Sequence, residues 1–343
     1  MPDFMSDVFN NTPQRRIEVT NLVNEIIPVP SILGGLGEQL FRTVPVRTRT
    51  IAIQRVGRTN RLIPVSPIGA PPVELEVEGG DVRPFFIRRL AKGSTVYAEE
   101  LQGVTDFFDF NQVRTLDGEI AARAARIRDD FELTNEYQRF GAIQGIVVDS
   151  DGSTVLDNWF TAWGVAAPTP FVFDLDIATS NLQQISDNVI TAMRQATVDG
   201  WIPGRTRVHA MVGNTFFTTF IAHPNYTRAY LNTPNAGQLL NAMPDMVDAF
   251  GIVWHRWVEG GNLPTEFNLP DNEVRFFPVG GNDVFQRVLG PAEFDPFVNQ
   301  PGREIYGMQI PDRDRGAWLR TEMYQYPLFI CLRPEMLQQG ILT

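Results

Sequence analysis

Apolar and acidic residues alternate where the chain first shows a clear pattern: Val73, Leu75 and Val77 are interleaved with Glu74, Glu76 and Glu78. A period of two belongs to a half-buried strand. Glu78-Gly79-Gly80-Asp81 supplies a turn, and residues 82–90 resume as a strand, so the pattern predicts a long β-hairpin. Pro84 lacks an N–H donor and confines the returning strand to an edge. The outgoing arm is acidic, whereas the returning arm carries Arg83, Arg88, Arg89 and Lys92. A lone hairpin is barely stable in water, and an edge strand invites pairing with another chain. Either its own domain or a neighbouring subunit supplies the surface it lies on.

The period then becomes helical. Residues 116–145 predict one long helix, with Thr115 or Asp117 as cap and Glu119 in the first turn, where the helix dipole favours negative charge. Ile120, Ala124, Ile127, Phe131 and Phe140 form its apolar stripe. Arg123, Arg126 and Arg128 share the remaining faces with Asp129, Asp130, Glu132 and Glu136. Beyond it, strands are expected over 146–148 and 153–156, joined by the turn Asp149-Ser150-Asp151-Gly152, with a linker over 168–173. A second helix opens at Thr179 or Ser180, places Leu182, Ile185, Val189 and Met193 on one face and stops at Gly200. Strands over 208–212, 252–258, 273–279, 318–323 and 328–332 follow, with a short helix capped by Asn214 ahead of Pro224. Helices and strands do not alternate strictly, which makes the fold class α+β.

The first hundred residues read differently. Pro13, Pro28, Pro30, Pro45, Pro64, Pro67, Pro71, Pro72 and Pro84 hold the chain extended, apart from a helical turn over 19–27, and leave it without a core of its own. The net charge of −11 argues against a protein that coats nucleic acid by neutralising phosphates. With Cys331 the only cysteine, no intrachain disulfide forms. No signal-peptide pattern and no run of about 20 apolar residues occurs, so neither export nor a membrane partner is expected.

Candidate chemistry is thin. Asp149-Ser150-Asp151-Gly152 lacks the glycine offset and closing glutamate of a calcium loop, and Ala91-Lys92-Gly93-Ser94-Thr95 has the letters of a phosphate loop in the wrong order. His209, His223 and His255 have no partner at metal-ligand spacing, and the first and last lie in predicted strands as core or interface histidines. Cys331 lies in an apolar strand, where a thiol is ordinarily inert. Trp159, Phe160, Trp163, Trp254 and Trp257, with Phe107, Phe108 and Phe110, lack the interleaved basic residues of a base-stacking platform and are read as packing. No catalytic residue, metal site or cofactor is assigned.

Four stretches, in order, carry a family likeness: residues 62–68 (Leu62-Ile63-Pro64-Val65-Ser66-Pro67-Ile68), Arg128-Asp129-Asp130-Phe131-Glu132 through Gly152, Asn268-Leu269-Pro270-Asp271-Asn272 with Val279-Gly280, and Tyr324-Gln325-Tyr326-Pro327-Leu328 with Arg333-Pro334-Glu335-Met336-Leu337. Through them the chain resembles the lambda-type major head proteins of tailed bacteriophages. The resemblance implies an HK97-like shell fold: an N-terminal arm (1–60), an extended hairpin loop (61–105), a peripheral domain with a spine helix (106–170), an axial domain (171–300) and returning C-terminal strands (301–343). It implies homo-oligomeric hexamers and pentamers around double-stranded DNA, a portal at one vertex, decoration and scaffolding partners, and assembly in the host cytoplasm. Some related shells link a hairpin lysine to an asparagine. Lys92 is the sole lysine here, and the lambda-type branch is not expected to use that chemistry. The intersubunit residues expected are Glu74, Glu76, Glu78, Arg83, Arg88 and Arg89 of the hairpin, facing Arg123, Arg126, Asp129 and Asp130 of a neighbour's long helix. A nanocompartment shell enclosing cargo protein and an enzyme built on Cys331 or a carboxylate pair are the alternatives.

Overall fold

The computed structural model describes residues 32–55, 81–101, 116–197, 200–231, 245–257 and 269–343. Strands β1 (Arg42–Pro45), β2 (Thr50–Arg55), β3 (Asp81–Phe86) and β4 (Leu90–Tyr97) precede the long helix α1 (Leu116–Gln144). Next come β5 (Ile146–Val148), β6 (Val155–Asn158), β7 (Phe171–Phe173), α2 (Leu182–Ala196), β8 (Arg207–Val212), α3 (Asn214–Ala222) and α4 (Pro224–Leu231). The remaining strands are β9 (Met246–Ala249), β10 (Ile252–Arg256), β11 (Glu273–Val279), β12 (Phe285–Leu289), β13 (Tyr306–Pro311), β14 (Trp318–Gln325), β15 (Pro327–Cys331) and β16 (Gln338–Leu342). None of the described helices is long and apolar enough to cross a membrane.

A six-stranded mixed sheet, ordered β7-β16-β11-β8-β10-β9, organises the C-terminal half. Its side chains alternate between two cores, as the pleat requires. Val208, Ala210 and Val212 of β8, Ile252 and Trp254 of β10, and Val274 and Phe276 of β11 pack with α2 and α3 through Val189, Met193, Phe216 and Phe220. Met211, Phe277 and Val279, on the opposite face, join a second core with Phe140 and Ile143 of α1 and with β12 and β15. Trp257 stacks on Phe140 there, ring centroids 5.0 Å apart. Burial on both faces explains why these strands read as apolar runs.

Every residue of the predicted α1 stripe is buried. Arg128, Glu136 and Arg139 are buried as well, so the charged positions are not confined to solvent faces. Arg139 pairs with Glu132 at 2.6 Å and Glu136 at 3.1 Å, which compensates its burial. Two three-stranded sheets, β1-β12-β15 and β13-β14-β4, flank the helix.

The structure changes several expectations. Strand β3 pairs antiparallel with β2, from Thr50↔Phe86 to Arg55↔Asp81. Leu90 then opens β4 in another sheet, where it pairs with β14. The expected acidic arm, with Glu74, Glu76 and Glu78, lies outside the described residues, as do the 19–27 turn and the 62–68 motif. Ile51 and Ile53 alternate with Thr50, Ala52 and Gln54 as regularly as the acidic arm does, so the alternation alone does not single out a partner for β3. Nor is the N-terminal stretch without a core: Leu33, Leu40, Phe41, Phe85 and Ile87 are all buried in the second core.

Smaller corrections follow the same logic. The α2 cap is Asn181, whose side chain accepts from Gln184 N, and the helix ends at Ala196, ahead of Gly200. Gly213 takes the cap position of α3, freeing the Asn214 side chain to accept from Arg256. The expected linker over 168–173 contains β7, a parallel partner of β16.

Candidate functional site

The β2–β3 ribbon lies where the expected hairpin loop begins and ends. One face packs inward through Phe85, whose ring lies 5.4 Å from Trp159 and 5.7 Å from Trp163. The tryptophans are presented by the short helix Trp159–Trp163, held at its start by Asn158 and at its end by left-handed Gly164. The other face of β3 is apolar and open: Phe86 is 67% exposed and Val82 54%. Pro84 lies between them, opposite Ala52.

The expected assembly residues divide into two groups. Arg88 is bound within the chain, to Asp157 and to the Leu156 carbonyl at 2.6 Å. Arg89 lies 3.4 Å from Glu293 and over the Tyr324 ring. Arg123 bridges Glu119 at 2.7 Å and Glu100 at 2.6 Å and reaches Ser94 and the Thr95 carbonyl on β4. Asp130 pairs with Lys92 at 2.5 Å, so the sole lysine ties β4 to α1. Arg83 is half-buried on β3. Arg126 and Asp129 are exposed and make no ion pair among the described residues.

Sequence reasoning missed how the N-terminal segment is fastened. The Glu136 carboxylate of α1 accepts from Leu33 N at 2.6 Å and Gly34 N at 3.0 Å. These N–H groups belong to the first turn of the short helix Ile32–Gly35, where backbone donors have no partner within the helix. A carboxylate about a hundred residues downstream in sequence therefore caps the place where the N-terminal segment meets the body. No local motif signals this contact.

The histidines also meet. β8 and β10 are parallel neighbours, and His209 Nδ1 lies 2.9 Å from His255 Nε2 with the rings stacked. One ring must donate and the other accept, so the two cannot both be protonated. Burial, then the neighbouring His255, then Arg207 push the His209 pKa down to about 4; burial lowers His255 as well. His223 contacts the Ile177 carbonyl and accepts from Asn225 N. Cys331 is fully buried in β15. In the 149–152 turn, the Thr154 hydroxyl and the Thr154 and Ser153 N–H groups hold Asp151 below the usual carboxylate range. Among the described residues, no three His, Cys, Asp or Glu side chains are placed to hold a metal.

This arrangement of arm root, hairpin root, long helix and two-faced sheet has structural counterparts. A putative prophage capsid protein from Escherichia coli CFT073 superposes with a TM-score of 0.55 at 10% identity, covering 97% of this chain and 99% of the other. The capsid protein of cyanophage P-SCSP1u gives 0.52 at 8% identity, covering 93% and 90%. The fold is the HK97-like capsid fold. The chain belongs to the phage major capsid protein E family, whose model matches residues 17–342. It is 23% identical to the major capsid protein of Salmonella phage Felix O1 (isolate Felix O1-VT1), over 96% of this chain and 97% of that one. It is a major capsid protein of a phage head and thus a virion component.

Proposed function

We propose that this chain closes an icosahedral head by forming hexamers and pentamers of itself around double-stranded DNA. It acts without catalysis, with assembly in the host cytoplasm, a portal at one vertex, and decoration and scaffolding proteins as further partners. The observation that carries the assembly reading is the open apolar face of β3. A two-stranded ribbon is marginal by itself, and here Val82 and Phe86 face solvent in an isolated subunit. A neighbouring subunit covering that face removes apolar area from water and gives the hairpin the support that its own chain provides on one side only.

In this reading residues 1–60 form the arm, with 32–55 fastened to the body. Residues 61–105 continue the hairpin begun at β2, 106–170 build the peripheral domain and 171–300 the axial domain; the expected return of 301–343 to the peripheral domain holds only up to β15, because β16 joins the six-stranded sheet, while β12 leaves the axial stretch to pair with β1 and β15. The internal pairing of Arg88, Arg89, Arg123 and Asp130 narrows the intersubunit charges to Glu74, Glu76, Glu78 and Arg83 of the hairpin, with Arg126 of a neighbour's α1 facing the glutamates and Asp129 facing Arg83. Opposite charges at such contacts set register and reject wrong neighbours. Replacing Glu74, Glu76 and Glu78 together by arginine tests this. The variant should keep its circular dichroism spectrum while sedimenting as unassembled or aberrant material. Normal particles at physiological salt would refute the charge assignment and leave apolar burial at Val82 and Phe86 as the holding force.

A further inference from the structure

The cavities among the described residues differ in the charge of their walls. The cleft beside α1, about 180 Å³, has Arg128, Arg139 and Arg287 answered by Glu132 and Glu304. A second cavity of about 320 Å³ opens where β8 begins and β11 ends. It is lined by Gln39, Arg205, Arg207, His209, Val279 and Gly280, two arginines and no carboxylate. In a chain of net charge −11, composition does not account for that local excess.

The wall is held by its backbone. Gly280 N donates to the Gln39 carbonyl at 3.0 Å. Gly280 has φ +76°, and a Cβ there would come within 3.0 Å of the Arg205 carbonyl oxygen, so the two turns are seated against each other. The turn carrying Arg205 is closed by Arg205 N and Thr206 N on the Ile202 carbonyl, and by Ile202 N on the Thr206 hydroxyl at 2.9 Å. Arg207 and His209, two residues apart on β8, project from one face.

The surrounding charges leave an opening for an anion. Asp248 is 3.7 Å from Arg207 in a largely exposed pair, and Arg42 is matched by Asp283 at 3.0 Å. Glu38 lines the adjoining cleft together with Arg205. Arg205 itself makes no ion pair among the described residues. His209 meets His255 through Nδ1, which leaves Nε2 as the ring nitrogen available to a ligand.

We propose that this pocket binds a phosphate-class oxyanion, gripped by the Arg205 and Arg207 guanidiniums with His209 at its floor. Forked guanidiniums match tetrahedral oxyanions, and about 320 Å³ leaves space for several waters beside the ion. The anion offsets the field of Arg207 on His209, so binding is tighter to the protonated imidazole and strengthens as the pH falls. The same chemistry serves free phosphate or a DNA backbone phosphate, and the site does not depend on shell assembly.

The test is an NMR titration of the histidine side chains in the full-length, unassembled chain. Inorganic phosphate is compared with chloride at equal ionic strength, and then a short DNA duplex is added. Phosphate should raise the His209 midpoint by about one pH unit, a tenfold preference for the protonated form. R205A and R207A should each weaken phosphate binding on the order of tenfold, with R205K/R207K in between. A response to phosphate and not to duplex assigns a free oxyanion. A response to both, with the salt slope of duplex binding reduced by about two in R205A/R207A, assigns the DNA backbone. If phosphate leaves the His209 midpoint where chloride leaves it, or moves it equally in the folded double variant, the proposal is wrong.

Discussion

Replacing Glu136 by alanine should release the root of the N-terminal arm. The carboxylate is 6% exposed, accepts from Leu33 N and Gly34 N, and pairs with buried Arg139. Alanine removes the acceptor for both N–H groups. A buried donor left unsatisfied costs roughly 1–3 kcal/mol, and removing one member of a buried ion pair costs about 3–5 kcal/mol. Arg139 keeps Glu132 at 2.6 Å and its place over the Phe329 ring, so the charge is not stranded. The two unsatisfied N–H groups therefore set the cost, about 2–6 kcal/mol together, concentrated on the segment that Glu136 holds. Glutamine preserves shape and one acceptor oxygen and should cost about 1–2 kcal/mol. Hydrogen exchange on the unassembled full-length chain reads this directly. Protection of residues 33–41 should fall by roughly two to three orders of magnitude in E136A and less in E136Q, while the six-stranded sheet stays protected. Unchanged protection over 33–41 in E136A would refute the capping argument; equal loss throughout the molecule would show that the arm root is not a separable unit.

Stability should fall as the pH drops from about 6.5 towards 4. His209 has a folded pKa of about 4, so the unfolded chain binds more protons across that window; the loss is on the order of 3 kcal/mol, and H209Q should flatten the slope of urea midpoints against pH. F85A should cost about 3–5 kcal/mol and loosen the hairpin root from Trp159 and Trp163, read as lost exchange protection in β2 and β3. Deleting residues 1–31 should leave a folded subunit by circular dichroism, whereas deleting 1–45 removes Leu33, Leu40, Phe41 and β1 and should lower the urea midpoint sharply. Equal midpoints for the two truncations would contradict the packing described.

The legible parts were those whose signal is local. Ile120 through Phe140 repeat at helical spacing and gave α1 nearly to the residue, and the apolar run at 273–279 gave β11. What was not legible depends on distant partners. The acidic alternation at 73–77 is strong, but nothing in it says that β3 pairs with β2 across the intervening residues. β12 and β16 carry Gln286, Arg287, Gln338 and Gln339 among their residues, which blurs the apolar pattern, and so both were overlooked. Prolines suggested an arm without a core because they report backbone preference, while Leu33 and Phe41 find their apolar neighbours across the fold. Among the expected assembly residues, Arg88 and Arg123 meet carboxylates of their own chain, and sequence cannot tell an internal carboxylate from a neighbour's. The pairing of His209 with His255, and the basic pocket beside it, needed the parallel register of β8 and β10.

Cryo-electron microscopy of the expressed full-length chain bears most directly on the claim that it builds a shell. The account predicts closed icosahedral particles resolved into hexamers and pentamers, with the open face of Val82 and Phe86 covered by an adjacent subunit. Monodisperse, unassembled subunits under conditions that keep the chain folded, or particles in which that face stays bare to solvent, would contradict it.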